Sequence, residues 1–279
     1  MKYKERYIEC SGLKFHVLVA GPETGVPVLL LHGFPDVCFG WEAQLQALTE
    51  AGYYAIAIDQ RGYNLSAKPR GVYNYTIDKL AADVLRVADA LKIDRFNLVG
   101  HDFGAMVSWY LAIRYPQRLR HMIISNVPHP FVLHKFLRTN PAQMLKSSYI
   151  AFFQLPILPE VLLRINNWKP LVSQLSGKLN QEQRARYRVA WTQPGAITTM
   201  LNWYRAFAAV TTGKEGNHIT VPTRIIWGKH DPYLLHEMAQ ESMQYLTHGD
   251  LATLDEAGHW VQHDEANRFN ALMLEHFAD

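Results

Sequence analysis

The stretch LVGHDFGAM, Leu98–Met106, constrains the fold more than any other part of the chain. An apolar run ends in Gly100-His101-Asp102-Phe103-Gly104, and a helix-like run begins at once. A strand that turns into a helix this sharply strains its central residue, and only small neighbours leave room for it. The turn lifts the Asp102 side chain above the carboxyl edge of a sheet, beside a helix N-terminus. Open α/β sheets place their ligand sites there. Asp102 is therefore a candidate nucleophile, and it is a carboxylate rather than a hydroxyl or a thiol.

The rest of the chain agrees with a sheet of this kind. Near-continuous apolar runs predict strands at 13–21, 26–33, 53–59, 96–102, 119–126, 223–231 and 249–259, as in a parallel sheet covered on both faces. Between them, Ile77, Leu80, Ala81, Val84, Val87 and Leu91 fall at helical spacing over 75–92. Further helices are predicted from Asp102 to about Tyr115, closed by Pro116, and from Asp264 to Phe277. The alternation breaks between His129 and Asn217, a stretch rich in Trp, Tyr, Phe and Leu with no clear strand. It reads as a helical insertion folded over the sheet, giving a core of 1–128 and 218–279 and a cap of 129–217.

Composition excludes several classes. Hydrophobic residues make up 48% of the 279 and charged residues 19%, enough for a large core. The net charge of +3 is scattered, so no nucleic-acid stripe or polybasic membrane patch is expected. Cys10 and Cys38 permit a disulfide without implying one, and show no metal-ligand spacing. The N-terminus lacks the apolar run of a signal peptide, and no apolar stretch reaches the ~18 residues of a membrane helix. The expectation is a cytoplasmic protein with no membrane, nucleic-acid or metal partner and no cofactor.

The partners of a nucleophile at an elbow come in the chain order nucleophile, acid, histidine. Asp231 ends IIWGKHD and His259 ends DEAGH, both at strand ends. His259 could activate water, and Asp231 could orient the imidazole and stabilise its charged form. Asn126 fills the end of the preceding strand, which leaves Asp231 the better acid. In HGFPD, His32–Asp36, the N–H of Phe34 could join that of Phe103 in an oxyanion hole, with Pro35 holding the turn, a cis peptide being one way.

HGFP, DQRGYNLS, GHDFGA and DEAGHW together resemble the α/β-hydrolase superfamily, in its branch with an aspartate nucleophile, across nearly the whole chain. The resemblance implies an eight-stranded, mostly parallel sheet with a helical lid.

A carboxylate suits displacement at a saturated carbon, which gives an alkyl ester on Asp102 that water activated by His259 then hydrolyses. Two substrate classes fit. A halide leaves as a stable anion and wants N–H donors. An epoxide leaves as an alkoxide, comparable to the conjugate base of a water of pKa roughly 15.7, and needs an acid. Haloalkane dehalogenases usually carry Trp after the nucleophile and Asn in the oxyanion loop, and Phe103 and Phe34 stand there instead. The arginines of fluoroacetate dehalogenases are also missing after Asp102.

SSYIAFFQLP (Ser147–Pro156) and MLNWYRA (Met200–Ala206) resemble the two lid-tyrosine motifs of epoxide hydrolases, which implies Tyr149 and Tyr204 as paired ring-opening acids. Trp203, Phe152, Phe153 and Trp109 are candidates for an apolar substrate pocket, set against a plain packing role. His101 is expected to be packed or bonded locally, Arg61 to be tied to a carboxylate, and His263 gives no reason for a metal pair with His259. The expected activity is hydrolysis of a hydrophobic epoxide by water. A dehalogenase using the same nucleophile and a non-catalytic receptor on the same scaffold stay open as alternatives.

Overall fold

The apolar runs form the interior of one sheet in the computed structural model, which describes residues 3–207 and 218–278. Its strands are β1 (Lys4–Cys10), β2 (Leu13–Ala20), β3 (Pro27–Leu31), β4 (Tyr54–Ile58), β5 (Phe96–His101), β6 (Leu119–Ser125), β7 (Thr223–Gly228) and β8 (Gly249–Leu254). They lie in the order β1-β2-β4-β3-β5-β6-β7-β8. β1 pairs antiparallel with β2, and β2 with β4, while every other pair is parallel. β5, which leads to Asp102, sits between β3 and β6. Seven strands match the predicted runs. β1 does not appear among them, because KERYIEC is a half-exposed edge strand whose polar residues hide its period.

Alternate residues of the central strands feed two cores. Val28, Leu30, Val99, Ile123 and Ile226 pack with Leu45 and Leu48 of α1 (Glu42–Glu50). Leu29, Leu31, Leu98, Met122 and Ile124 face the other way, toward α2 (Ile77–Ala90) and α3 (Phe103–Arg114). Both α2 and α3 lie close to their predicted spans.

Between β6 and β7 run α4 (Pro130–Thr139), α5 (Pro141–Lys146), α6 (Tyr149–Phe153), α7 (Leu158–Val172), α8 (Gln181–Trp191) and α9 (Ala196–Phe207). α7 is broken at Ile165–Trp168, where Asn166, Asn167 and Trp168 take positive φ. The far end of the predicted cap, 208–217, lies outside the described residues. The chain closes with α10 (Glu237–Ser242), α11 (Val261–Asp264) and α12 (Ala266–Ala278). Phe269, Met273 and Phe277 of α12 complete the core around α1. The terminal helix expected over 264–277 is α12, and the short α11 precedes it directly after His259.

The helical insertion is tied to loops at the carboxyl ends of the strands. Trp191 Nε1 donates to Pro35 O at 2.7 Å and the Tyr187 hydroxyl to Asp36 Oδ1 at 2.6 Å. Thr199 Oγ1 donates to Gly62 O at 2.6 Å and Trp203 Nε1 to Arg61 O at 2.9 Å. Arg61 itself holds Asp83 through two bonds of 2.6 Å, the carboxylate partner expected for it. Cys10 and Cys38 are both free thiols. Among the described residues, no single helix is long and apolar enough to cross a membrane.

Candidate active site

The elbow forms because its neighbours are small. Asp102 adopts φ 50° and ψ −122°, and α3 begins at the next residue. A Cβ on Gly104 would lie 2.0 Å from the carbonyl oxygen of Leu31 in β3, so only glycine lets helix and strand approach here. A Cβ on Gly33 would lie 2.2 Å from Asp102 Oδ1. The loop after β3 and the Asp102 side chain therefore share one tight space.

The two carboxylate oxygens of Asp102 have different surroundings. Oδ1 accepts the Phe34 N–H at 2.7 Å. Oδ2 lies 3.7 Å from His259 Nε2, beyond hydrogen bonding, and the side chain is 18% exposed. Phe103 is the first residue of α3, so its N–H has no acceptor within the helix. The Phe34–Pro35 peptide is cis.

His259 and Asp231 meet as expected, with Nδ1 to Oδ2 at 2.7 Å. An ionised carboxylate only accepts, so Nδ1 carries the proton and Nε2 faces Asp102. Asp231 is fully engaged. Asn126 Nδ2 donates to Oδ2 at 2.7 Å, and the N–H groups of Tyr233 and Leu234 donate to Oδ1 at 2.7 and 3.0 Å. Asn126 thus supports the acid rather than replacing it. His101 lies beneath, its ring 4.8 Å from that of His259 and its Nε2 donating to the His259 carbonyl at 2.8 Å.

These contacts set the charges. Burial would lower the basicity of His259, but the Asp231 charge and the facing Asp102 outweigh it and push its pKa up to about 10. Burial would raise both carboxylates, and His259 instead holds each below the usual range. His101 is lowered to about 4 by burial, with the His259 charge adding to the effect. At neutral pH the resting site is an imidazolium between two carboxylates, resting on a neutral histidine.

Tyr149 opens α6 and Tyr204 lies in α9, with their rings 5.9 Å apart at 80°. Tyr204 meets Phe34 at 5.2 Å and Phe103 at 4.6 Å, edge to face. Burial pushes both phenols well above their usual pKa, and the Asp102 charge pushes further in the same direction. Both are therefore neutral acids at rest.

The aromatic candidates divide. Phe153 touches Phe34, Tyr149 and Tyr204, and Phe152 packs on Phe153. Trp203 backs the site through Phe103, 5.3 Å away. Trp109 is a correction. It is fully buried on α3, donates Nε1 to Val127 O at 3.3 Å and packs on His129, so it belongs to the core and not to the pocket. A helix exposes one stripe to the site, and Trp109 lies on another.

Tyr233 was not singled out in the sequence, yet its ring meets those of His259 at 5.0 Å and Tyr149 at 5.8 Å. Only its place two residues after the acid pointed to it. Metal-compatible spacing was likewise invisible for His16, Cys38 and Asp59, which come from three separate segments but bring ligand atoms within 4.8 Å. The Asp59 oxygens there already accept from His16 Nδ1, Asn64 Nδ2 and the Cys38 N–H. A groove of about 380 Å³ between Arg6, Tyr54, Lys92 and Arg95 lies at the amino ends of the strands, opposite the elbow.

Residues 26–266 match the model of the alpha/beta hydrolase fold family. The chain is 41% identical to the AB hydrolase superfamily protein YfhM of Bacillus subtilis, over 98% of this chain and 97% of that protein. It is 36% identical to human epoxide hydrolase 4, over 95% of this chain and 76% of that protein. Its fold is similar to that of a Bacillus megaterium epoxide hydrolase solved with an inhibitor, with TM-score 0.92 and 30% identity, covering 98% and 100% of the two chains. An elbow, an acid and a histidine in the required order, under a helical insertion and with relatives along the whole chain, lead to one assignment: the chain belongs to the α/β-hydrolase superfamily, among its epoxide hydrolases.

Proposed function

We propose that the chain hydrolyses an epoxide to a vicinal diol through an alkyl ester on Asp102, with residues 129–217 as the cap over the site. The observation that carries this reading is the pair of neutral phenols, Tyr149 and Tyr204, packed above a carboxylate whose charge they both feel. A departing alkoxide needs such an acid, whereas a halide does not.

Oδ2 attacks a ring carbon while Oδ1 stays on the Phe34 N–H. The carbon–oxygen bond breaks, and the oxygen takes a proton from a lid tyrosine, leaving a phenolate. Esterification removes the negative charge of Asp102, one of the causes that hold the His259 proton. His259 then gives up that proton, which restores the phenol and leaves a neutral imidazole able to act as a base.

Water attacks Cγ of Asp102 as Nε2 takes its proton. Charge grows on Oδ1, where the N–H groups of Phe34 and Phe103 receive it. Collapse releases the diol, whose oxygen takes the proton of the newly formed acid. The site returns to a carboxylate, an imidazolium and a phenol, so every proton is accounted for. Asp231 holds His259 throughout, and Phe152, Phe153, Trp203 and Pro35 form the apolar surroundings that suit a hydrophobic epoxide.

Two assays on the purified protein test this reading: diol formation from styrene oxide and halide release from a 1-haloalkane. Diol without halide is the expected result. Halide without diol assigns Asp102 to a dehalogenase, and thermal stabilisation by ligands with no product assigns the scaffold to a receptor.

A further inference from the structure

The two halves of the proposed reaction use groups on different parts of the chain. Ring opening needs Tyr149 from the insertion, and ester hydrolysis needs Asp231 from the loop after β7. One buried side chain joins them. Gln143 of α5 is fully buried. Its Nε2 donates to Tyr233 O at 2.9 Å and to Ser147 Oγ at 2.8 Å, and its Oε1 accepts the Leu235 N–H at 3.0 Å.

The amide pairs with the carbonyl of one residue and the N–H two residues on, as a neighbouring strand would. The same loop is gripped from its other side by Asp231, which takes the N–H groups of Tyr233 and Leu234. Ser147 lies two residues before Tyr149, and its carbonyl accepts the Ile150 N–H at 3.0 Å. Gln143 is thus bonded both to the approach of α6 and to the loop that carries the acid.

We propose that Gln143 is a positioning residue, a latch that fixes the ring-opening Tyr149 relative to the Asp231–His259 pair. The assignment rests on the epoxide hydrolase reading above, and gives it a residue that touches no reacting atom. Glutamine is required because the site asks for a donor and an acceptor on one planar group. Glutamate fills the same volume but an ionised carboxylate cannot donate to Tyr233 O, and from α5 it would set a second negative charge against the loop that carries Asp231. Alanine removes the partner of a half-buried carbonyl, that of Tyr233, and of a half-buried N–H, that of Leu235.

The test compares Gln143→Ala and Gln143→Glu with Thr199→Val, which removes a different bond between insertion and core, that of Thr199 to Gly62 O. Single-turnover kinetics with styrene oxide separate formation of the ester from its hydrolysis. The latch predicts that both rates fall about tenfold or more in each Gln143 variant, at temperatures where each is folded. Thr199→Val is expected to lower the melting temperature and leave both rates within about twofold.

Amide hydrogen exchange reads the latch without substrate. Peptides covering 231–235 and 147–153 should both exchange faster in Gln143→Ala and not in Thr199→Val. An active parent whose Gln143 variants keep both rates overturns the proposal, as does unchanged exchange at 231–235. A parent that opens no epoxide overturns the reading of the reaction instead, and the exchange data still decide whether the latch exists.

Discussion

The elbow and the helical insertion hold the side chains of the proposed reaction in place by opposite means. Asp102 is held by backbone: a strained turn, a glycine that admits the carbonyl of Leu31, and an N–H from Phe34. The insertion that carries Tyr149 and Tyr204 is held by side chains reaching across to the core, among them Gln143, Tyr187, Trp191 and Trp203. Backbone constraint is local and stiff, and leaves few arrangements open. Side-chain ties are separable, so the insertion can be loosened one bond at a time while Asp102 stays where it is.

The comparison is sharpest where the backbone-held half is disturbed. Asp231→Asn removes the largest influence raising the His259 pKa and offers the wrong partner to Nδ1. By the behaviour of serine-protease triads, ester hydrolysis should slow by roughly 10⁴-fold, with ring opening much less affected, so the ester accumulates. Stopped-flow and quenched-flow rates check this. Stability responds as well. A histidine raised to about 10 when folded contributes stability that is complete below its unfolded value of about 6.5 and lost as pH rises through 10. The lowered carboxylates contribute above about 3.9 and lose that contribution on acidification. The parent should therefore lose melting temperature between about pH 6.5 and 10, and Asp231→Asn should flatten that slope.

A smaller effect is expected in the side-chain-held half, because the proposed acids come in duplicate. Tyr149→Phe combined with Tyr204→Phe should cost about 10²- to 10⁴-fold in ring opening, the range for loss of a general acid. Either change alone should cost much less, since the remaining phenol still faces the oxygen. Hydrolysis of the ester, once formed, should be nearly unchanged in all three variants. Equal loss from each single change and from the pair would mean that the tyrosines act as one unit instead.

The same contrast explains what could be read from the sequence. The elbow was legible because its requirements fall within five residues, Gly100 to Gly104, and the triad because its chain order is tied to strand ends. Seven of the strands were legible as apolar runs, while β1, a half-exposed edge strand of mostly polar residues, was not. That Tyr149 and Tyr204 come together was legible only through resemblance, since nothing local separates them from the other tyrosines. Trp109, a pocket candidate set against a packing role, could not be decided from the sequence, and its place on α3 turns it into the core. Gln143 carried no signal, and Tyr233 only its place two residues after Asp231. Their roles exist only once α5 packs against the loop after β7.

The covalent ester is the central claim, and His259→Gln tests it most directly. This variant removes the base for the second half while Asp102 and both tyrosines remain to open the ring. Intact-protein mass spectrometry after incubation with an epoxide that the parent hydrolyses should show the mass of protein plus substrate. That adduct should disappear when Asp102→Ala is added. A variant that shows no adduct with a substrate the parent turns over would contradict the account, and would point to direct attack of water on the ring.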